Sequence, residues 1–424
     1  MRTIKLLTCF LLFGVFQSCC VNGDCDEDDF IGEPGFSESA YEPIALLRAD
    51  FEESVKLLPS KPILNSGKIY VLNNLLFVNE KDEGFHVFQN EDPSNPTPLN
   101  FIEVPGATDV AIRNGVYFIN QAVDLIAISF EVRQSELNVS KRIREVFPVK
   151  LSPDGFYPNV VQDSVVVGWK LKTERVMKKL IYILFIGVLL ASCSSDSGDS
   201  ITLESSDNAD GQGGSLAIFA LKGDYLYAVD QSDLIVFSVS TASDPVQVNR
   251  VSIGFNIETI FGYKNYLYIG SQNGMFIYNI DNPEFPEYLS SVEHFTACDP
   301  VVANETTAFV TLWSDLGCGN NVNQLEVYDV TEITNPVLLS TRELTEPKGL
   351  GLFGNYLIVC DDEIKIFDIS DPTNTVLIHN IDRLAFDVII QGDLLIAIGE
   401  MGVYQYRLDT SDITNTTALS TITI

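Results

Sequence analysis

The feature that most constrains this chain is a strand-like phrase that returns at a nearly fixed interval. It reads NNLLFVNE from residue 73, NGVYFINQ from 114, GDYLYAVD from 223, KNYLYIGS from 264, ETTAFVTL from 305, GNYLIVCD from 354 and GDLLIAIG from 392, with a degenerate copy, DSVVVGWK, from 163. Aligned on their central residues, Leu76 and Tyr117 lie 41 positions apart, as do Leu226 and Leu267, and Leu267 and Ala308. The interval from Ala308 to Leu357 is 49, because WSDLGCGNN is inserted there, and that from Leu357 to Leu395 is 38. Such a period means one supersecondary unit that buries its apolar faces only by stacking on its neighbours.

Each phrase is followed by a second alternating strand, such as GFHVFQN, DLIVFSV or GMFIYNI, and then by a turn rich in Asp, Asn and Pro that leads into a third strand. A short apolar strand then enters the next phrase, as in ATDVAIR and FDVIIQG. Four period-two strands per unit are the pattern of a β-propeller blade. The expected fold class is all-β, a single β-propeller of about eight four-stranded blades, one per anchor, with seven as the alternative count. Three anchors fall in residues 41–171 and five in 215–424, which assigns blades 1–3 and 4–8. Because propellers carry about four to eight blades, three cannot close alone, and both groups are expected in one ring.

The phrase EIKIFDISDPTNTVLI at 363 resembles the repeat of the LVIVD-repeat β-propellers. The likeness to lipid-anchored or secreted members from Bacteroidetes extends through NIETIFGYKNYLYIGSQNGMFIYNI, ACDPVV and KGLGLFGNYLIVCD. It implies the propeller fold and an exported address, and it brings no catalytic residues with it.

The ends of the pattern carry targeting signals. Residues 1–19 read as a lipoprotein signal peptide: Arg2 and Lys5, an apolar run from Leu6 to Phe16, then Gln17, Ser18 and Cys19, the candidate for acylation. Residues 20–40 follow as an acidic tether, GDCDEDDF, whose spacing is that of a calcium loop. Asp29 stands where that loop needs its glycine, however, and Gly35 where it needs a bidentate acid. An acidic run behind an acylated cysteine resembles the surface-export signal of Bacteroidetes lipoproteins. The expected location is lipid-anchored in the outer membrane and exposed at the cell surface, with a periplasm-facing anchor as the alternative. A second signal, MKKLIYILFIGVLLASC, starts at Met177 and ends on an internal lipobox cysteine, Cys193. Its apolar run is shorter than the roughly 20 residues a membrane span needs. Residues 172–214, including GQGGS from 211, are therefore read as a signal-like insertion and flexible linker, with Cys193 silent when translation starts at Met1.

Charge and cysteine usage narrow the partners. A net charge of −32 argues against nucleic acid or an anionic membrane face as a partner, and the membrane is expected to be met through the lipid anchor. Outside the signals and tether only Cys298, Cys318 and Cys360 remain, and no C-x-x-C occurs. Export to an oxidising compartment predicts a Cys298–Cys318 disulfide, with Cys360 free.

Catalytic patterns are sparse. The chain has three histidines, His86, His294 and His379, and no G-x-S-x-G, H-E-x-x-H or phosphate-cradling glycine loop. The expected function is a binding or interaction scaffold for a protein, small-molecule or glycan ligand at the cell surface. The alternatives are an enzyme of glycan or peptide metabolism working in the central funnel, or an accessory subunit of an outer-membrane uptake complex. Trp313, in the long insertion, is the candidate for loop contact. Asp109, Glu258, Asp299 and Asp387 stand at one repeat position, the start of the innermost strand, and are expected to converge as an acidic ring at the channel mouth. There they either bond nearby backbone amides or hold a divalent cation such as calcium or a cationic ligand group, with Lys348 in partial compensation; no other cofactor is expected.

Overall fold

Six of the seven full anchor phrases open on a residue in the left-handed region, as the degenerate phrase does at Asp163: Asn73, Asn114, Gly223, Lys264, Gly354 and Gly392 have φ between 49° and 62°. That is the backbone of a two-residue hairpin turn whose twist matches its strands, so each phrase begins a strand that folds straight back on the one before it. The seventh, at 305, replaces this device with Asn304, whose Oδ1 accepts the amides of Thr306 and Thr307 at 3.0 and 2.9 Å. A computed structural model describes residues 38–131, 136–172, 211–294, 300–314 and 322–424. The chain divides after Ala40, and the unit Tyr41–Ile424 carries the fold.

Seven antiparallel sheets result, each a blade: residues 66–103, 107–143, 219–252, 257–293, 301–343, 350–381 and 387–423, numbered here blades 1 to 7. Their innermost strands are Ser66–Leu72, Ala107–Arg113, Phe219–Lys222, Ile257–Tyr263, Val301–Ala303, Leu350–Phe353 and Asp387–Gln391. Each packs beside the next and the last beside the first, which closes a β-propeller. Stacking covers both faces of the middle strands: Val116–Gln121, Thr307–Leu312 and Leu394–Gly399 are buried at every residue. Burial on both sides explains their near-continuous apolar character.

The count is seven, not eight. The degenerate phrase at 163 becomes Ser164–Leu171, whose one partner strand is Tyr41–Leu47. Among the described residues no third or fourth strand joins this pair, which stands apart from the blades, and Val165 and Val167 pack with Phe51 on Val123 of blade 2. Two blades therefore precede residues 173–210, which lie outside the described residues, and five follow them. The helix Arg48–Glu52 and the strand Lys56–Pro59, which pairs with the outermost strand of blade 1, tie this amino-terminal segment down. Arg48 and Arg142 both bond the fully buried Asp124, at 2.5 and 2.8 Å, and both guanidinium groups lie 5.3 Å from the ring of Phe51. A buried carboxylate is tolerated there because it is doubly paired.

No blade is shared between the two ends of the chain, so side chains close the ring. Ile69, Val71, Leu76 and Val78 of blade 1 pack with Ile389, Leu394, Ile396 and Ile398 of blade 7. Asn90 and Gln405 exchange two amide hydrogen bonds of 2.8 Å across this seam. Ser420 Oγ donates to the Pro93 carbonyl at 2.6 Å. The same position of the outermost strand makes the same bond elsewhere: Asn249 to Glu284, Ser290 to Ile333 and Ser340 to Pro372, at 2.8, 2.6 and 2.8 Å. The closing seam is thus built like the interfaces it completes.

Candidate functional site at the channel mouth

Asp109 and Asp387 head the innermost strands of blades 2 and 7, on either side of blade 1. Their local geometry is the same: Oδ1 accepts the amide of the following valine, Val110 at 2.8 Å and Val388 at 2.9 Å. Between them rises Lys68 from blade 1, its Nζ 3.1 Å from Asp109 Oδ2. The same Asp109 oxygen accepts the amide of Ile218 at 2.6 Å, and Asn120 Oδ1 accepts the Asp109 amide at 2.8 Å.

The segment 211–218, expected to form part of a flexible linker, runs through this space instead. Gln212 and Gly213 pair antiparallel with Val71 and Tyr70, adding a strand to the inner edge of blade 1. Gly211 N donates to the Ile112 carbonyl of blade 2 at 3.2 Å, and the Ala217 carbonyl accepts Ile260 N of blade 4 at 2.9 Å. Ser215 Oγ accepts Leu350 N of blade 6 at 2.9 Å and donates to Asp387 Oδ1 at 3.2 Å. Residues 211–218 therefore strap across the axis and touch blades 1, 2, 4, 6 and 7. The sequence GQGGS reads as flexible, but its glycines answer to packing. A Cβ on Gly214 would lie 2.0 Å from Asp387 Oδ2, and one on Gly211 2.1 Å from the Tyr70 ring.

Asp387 is fully buried, and its Oδ2 has no hydrogen-bond partner. Burial pushes its carboxyl up to about 7, against the opposing pull of the Val388 amide, the Ser215 hydroxyl and the charge of Lys68.

Glu258 and Lys348 do not join this pair. Glu258 is half-buried in blade 4, and its Oε1 accepts Gln272 Nε2 of the same blade at 2.9 Å. Asp299 lies outside the described residues, as do Cys298, Cys318, Cys19 and Cys193. Lys348 turns away from the acids: its Nζ is 2.9 Å from Glu346 and 5.1 Å from the ring of Trp313. Trp313 thus packs on a neighbouring loop and is only partly exposed. Cys360 is a buried free thiol that desolvation holds well above its usual range. His86 is buried against Glu80 at 2.9 Å, and His379 meets Thr416 of the next blade at 3.2 Å. Among the described residues, no group of three or more His, Cys, Asp or Glu could hold a metal ion. For Asp109 and Asp387 the observed geometry is the bonding of nearby backbone amides.

Lys68, Ser215 and the two strap glycines are the site residues that pattern reading misses. The one available signal was the register of FDVIIQG against ATDVAIR, which places the two aspartates alike but says nothing of what crosses between them.

The LVIVD repeat matches residues 213–252, 260–293 and 348–383, which correspond to blades 3, 4 and 6, and these matches support an LVIVD-repeat family. No curated protein matches the chain. Among solved structures, the periplasmic gluconolactonase of Pseudomonas aeruginosa aligns over 87% of this chain and 96% of its own, with 11% identity and a TM-score of 0.52. A protein from Lactobacillus plantarum aligns over 74% and 83%, with 12% identity and a TM-score of 0.49. BamB from Moraxella catarrhalis aligns over 77% and 79%, with 8% identity and a TM-score of 0.47. At these identities the likeness is one of fold alone.

Proposed function

We propose that this protein is a binding scaffold: a β-propeller held at the cell surface by a lipid on Cys19, which presents the channel-mouth face to a partner. The observation that carries the reading is the use made of polar groups at the axis. Asp109, Ser215 and Asp387 spend their hydrogen bonds on main-chain amides, on Lys68 and, for Ser215 and Asp387, on each other. That is the chemistry of recognition, in which fixed donors and acceptors select a shape. The acidic tether and the outer-membrane address belong to the same proposal. The test is a cross-linking pull-down from intact cells with the lipid anchor retained. A partner captured by the wild type, and lost when the channel-mouth loops are replaced, is the expected result. Turnover of a glycan or peptide by the purified protein, or capture unaffected by loop replacement, would overturn the reading.

A further inference from the structure

We infer that the axial end is a binding site for an extended, glycine-containing peptide main chain, a site that residues 211–218 occupy in cis. The inference rests on the binding reading above and names its ligand class.

Three observations converge on it. The first is that the contacts are with main chain. The inner edge of blade 1 pairs with Gln212 and Gly213, and blades 2 and 4 bond the backbone of Gly211, Ala217 and Ile218. The innermost strand of a blade turns one unpaired edge to the axis, and adding a strand to such an edge is a general mode of peptide capture. The side chain of Ser215 adds hydrogen bonds to Asp387 and to the Leu350 amide of the wall.

Selection works through exclusion. Tyr70 and Asp387 leave no room for a Cβ at the positions of Gly211 and Gly214. The wall accepts glycine at these two places, three residues apart, with serine following the second.

The fit is also unfinished. Asp387 Oδ2, fully buried and pressed against Gly214, makes no hydrogen bond, although the Ser215 amide lies close enough to the carboxyl to pull its pKa down. A peptide that offers an N–H to that oxygen makes a bond the resident segment does not, so the resident can be displaced by a better occupant. Lys68 is the cation nearest this pocket and is spent on Asp109, while Lys348 pairs with Glu346, so neither satisfies Oδ2.

The probe is the labelled octapeptide Gly-Gln-Gly-Gly-Ser-Leu-Ala-Ile, titrated by fluorescence anisotropy into the full chain. A strap tethered in cis has an effective concentration on the order of millimolar, so wild type is expected to bind the probe only feebly. The double variant Gly211→Val, Gly214→Val alters the strap and not the wall, and is expected to bind the probe tighter by on the order of a hundredfold. A control peptide with valine at the same two positions should not bind. A variant that melts like wild type yet fails to bind the probe, or equal binding of both peptides, overturns the inference. Should the double variant not fold, hydrogen exchange on wild type decides: millimolar probe should speed exchange of the 211–218 amides, and unchanged exchange overturns the site. Failure here beside a partner captured in the pull-down removes the peptide site and leaves the scaffold reading standing; failure of both removes both.

Discussion

Asp109 and Asp387 occupy one position of the repeat, share one bond to the next residue's amide, and flank the same blade, yet they live in different electrostatic conditions. Asp109 has an ammonium at 3.1 Å and a second amide at 2.6 Å, whereas Asp387 has a serine hydroxyl at 3.2 Å and an oxygen with nothing. The difference lies not in the acids but in what the strap and blade 1 bring to each. A propeller repeats its backbone and leaves its axis free to diverge, since each innermost strand meets a different neighbour there.

The comparison can be broken most severely at Lys68. Lys68→Met removes the cation from a buried carboxylate and should cost about 3–5 kcal/mol, the usual penalty for leaving one partner of a buried pair. Urea unfolding at pH 7 measures it, and a loss under about 1 kcal/mol would mean the pair does not hold Asp109.

Asp387→Asn should act with the opposite sign. With its carboxyl raised from 3.8 to about 7, the folded chain holds a proton across that interval which the unfolded chain has released. The stability contributed by the protonated group is complete below about pH 4 and is lost as pH rises to about 7 and beyond. Asparagine does not titrate, so the variant should gain on wild type from pH 4 upward and level off near pH 8 at about 4 kcal/mol. Denaturation series at pH 4, 6 and 8 read this directly, and a variant less stable than wild type at pH 8 would show that the anion is compensated after all.

Ser215→Ala probes the same carboxylate more gently. It takes one donor from Asp387 and one acceptor from Leu350 N, an expected loss of about 1–2 kcal/mol. The loss should shrink sharply in the Asp387→Asn background, and full additivity would place the two side chains in separate networks.

The smallest effect moves the comparison to the rim. Ser340→Ala at an internal interface should cost about 1 kcal/mol and Ser420→Ala at the closing seam about 1–2 kcal/mol, because both lose a serine-to-carbonyl bond and Ser420 also accepts Gln405 Nε2 at 3.2 Å. A markedly larger loss at Ser420, measured by thermal unfolding of the two variants side by side, would show the seam to be the weak joint of the ring.

Much of the blade was legible because its signals are local. Asn114 with Gly115, Gly223 and Gly392 announce left-handed turns, and the Asp-Pro phrases announce the next, so strand order follows from the chain alone. The phrase at 163 misled because a strand that pairs with one partner and a strand inside a blade carry the same alternation over eight residues. What it lacked, a third and fourth strand, is visible only in the pairing.

By itself, the sequence determined the period, the hairpin turns, the apolar middle strands and the equivalence of Asp109 with Asp387, all of which depend on neighbours within one repeat. Tertiary structure alone decided the blade count, the strap and the fate of each acid. Gly214 meets Asp387 across 173 positions, and Ser215 meets Leu350 across 135. No pattern within a repeat can encode contacts made where seven separate repeats converge on one axis, because there the partner of each residue is set by ring closure and not by spacing along the chain.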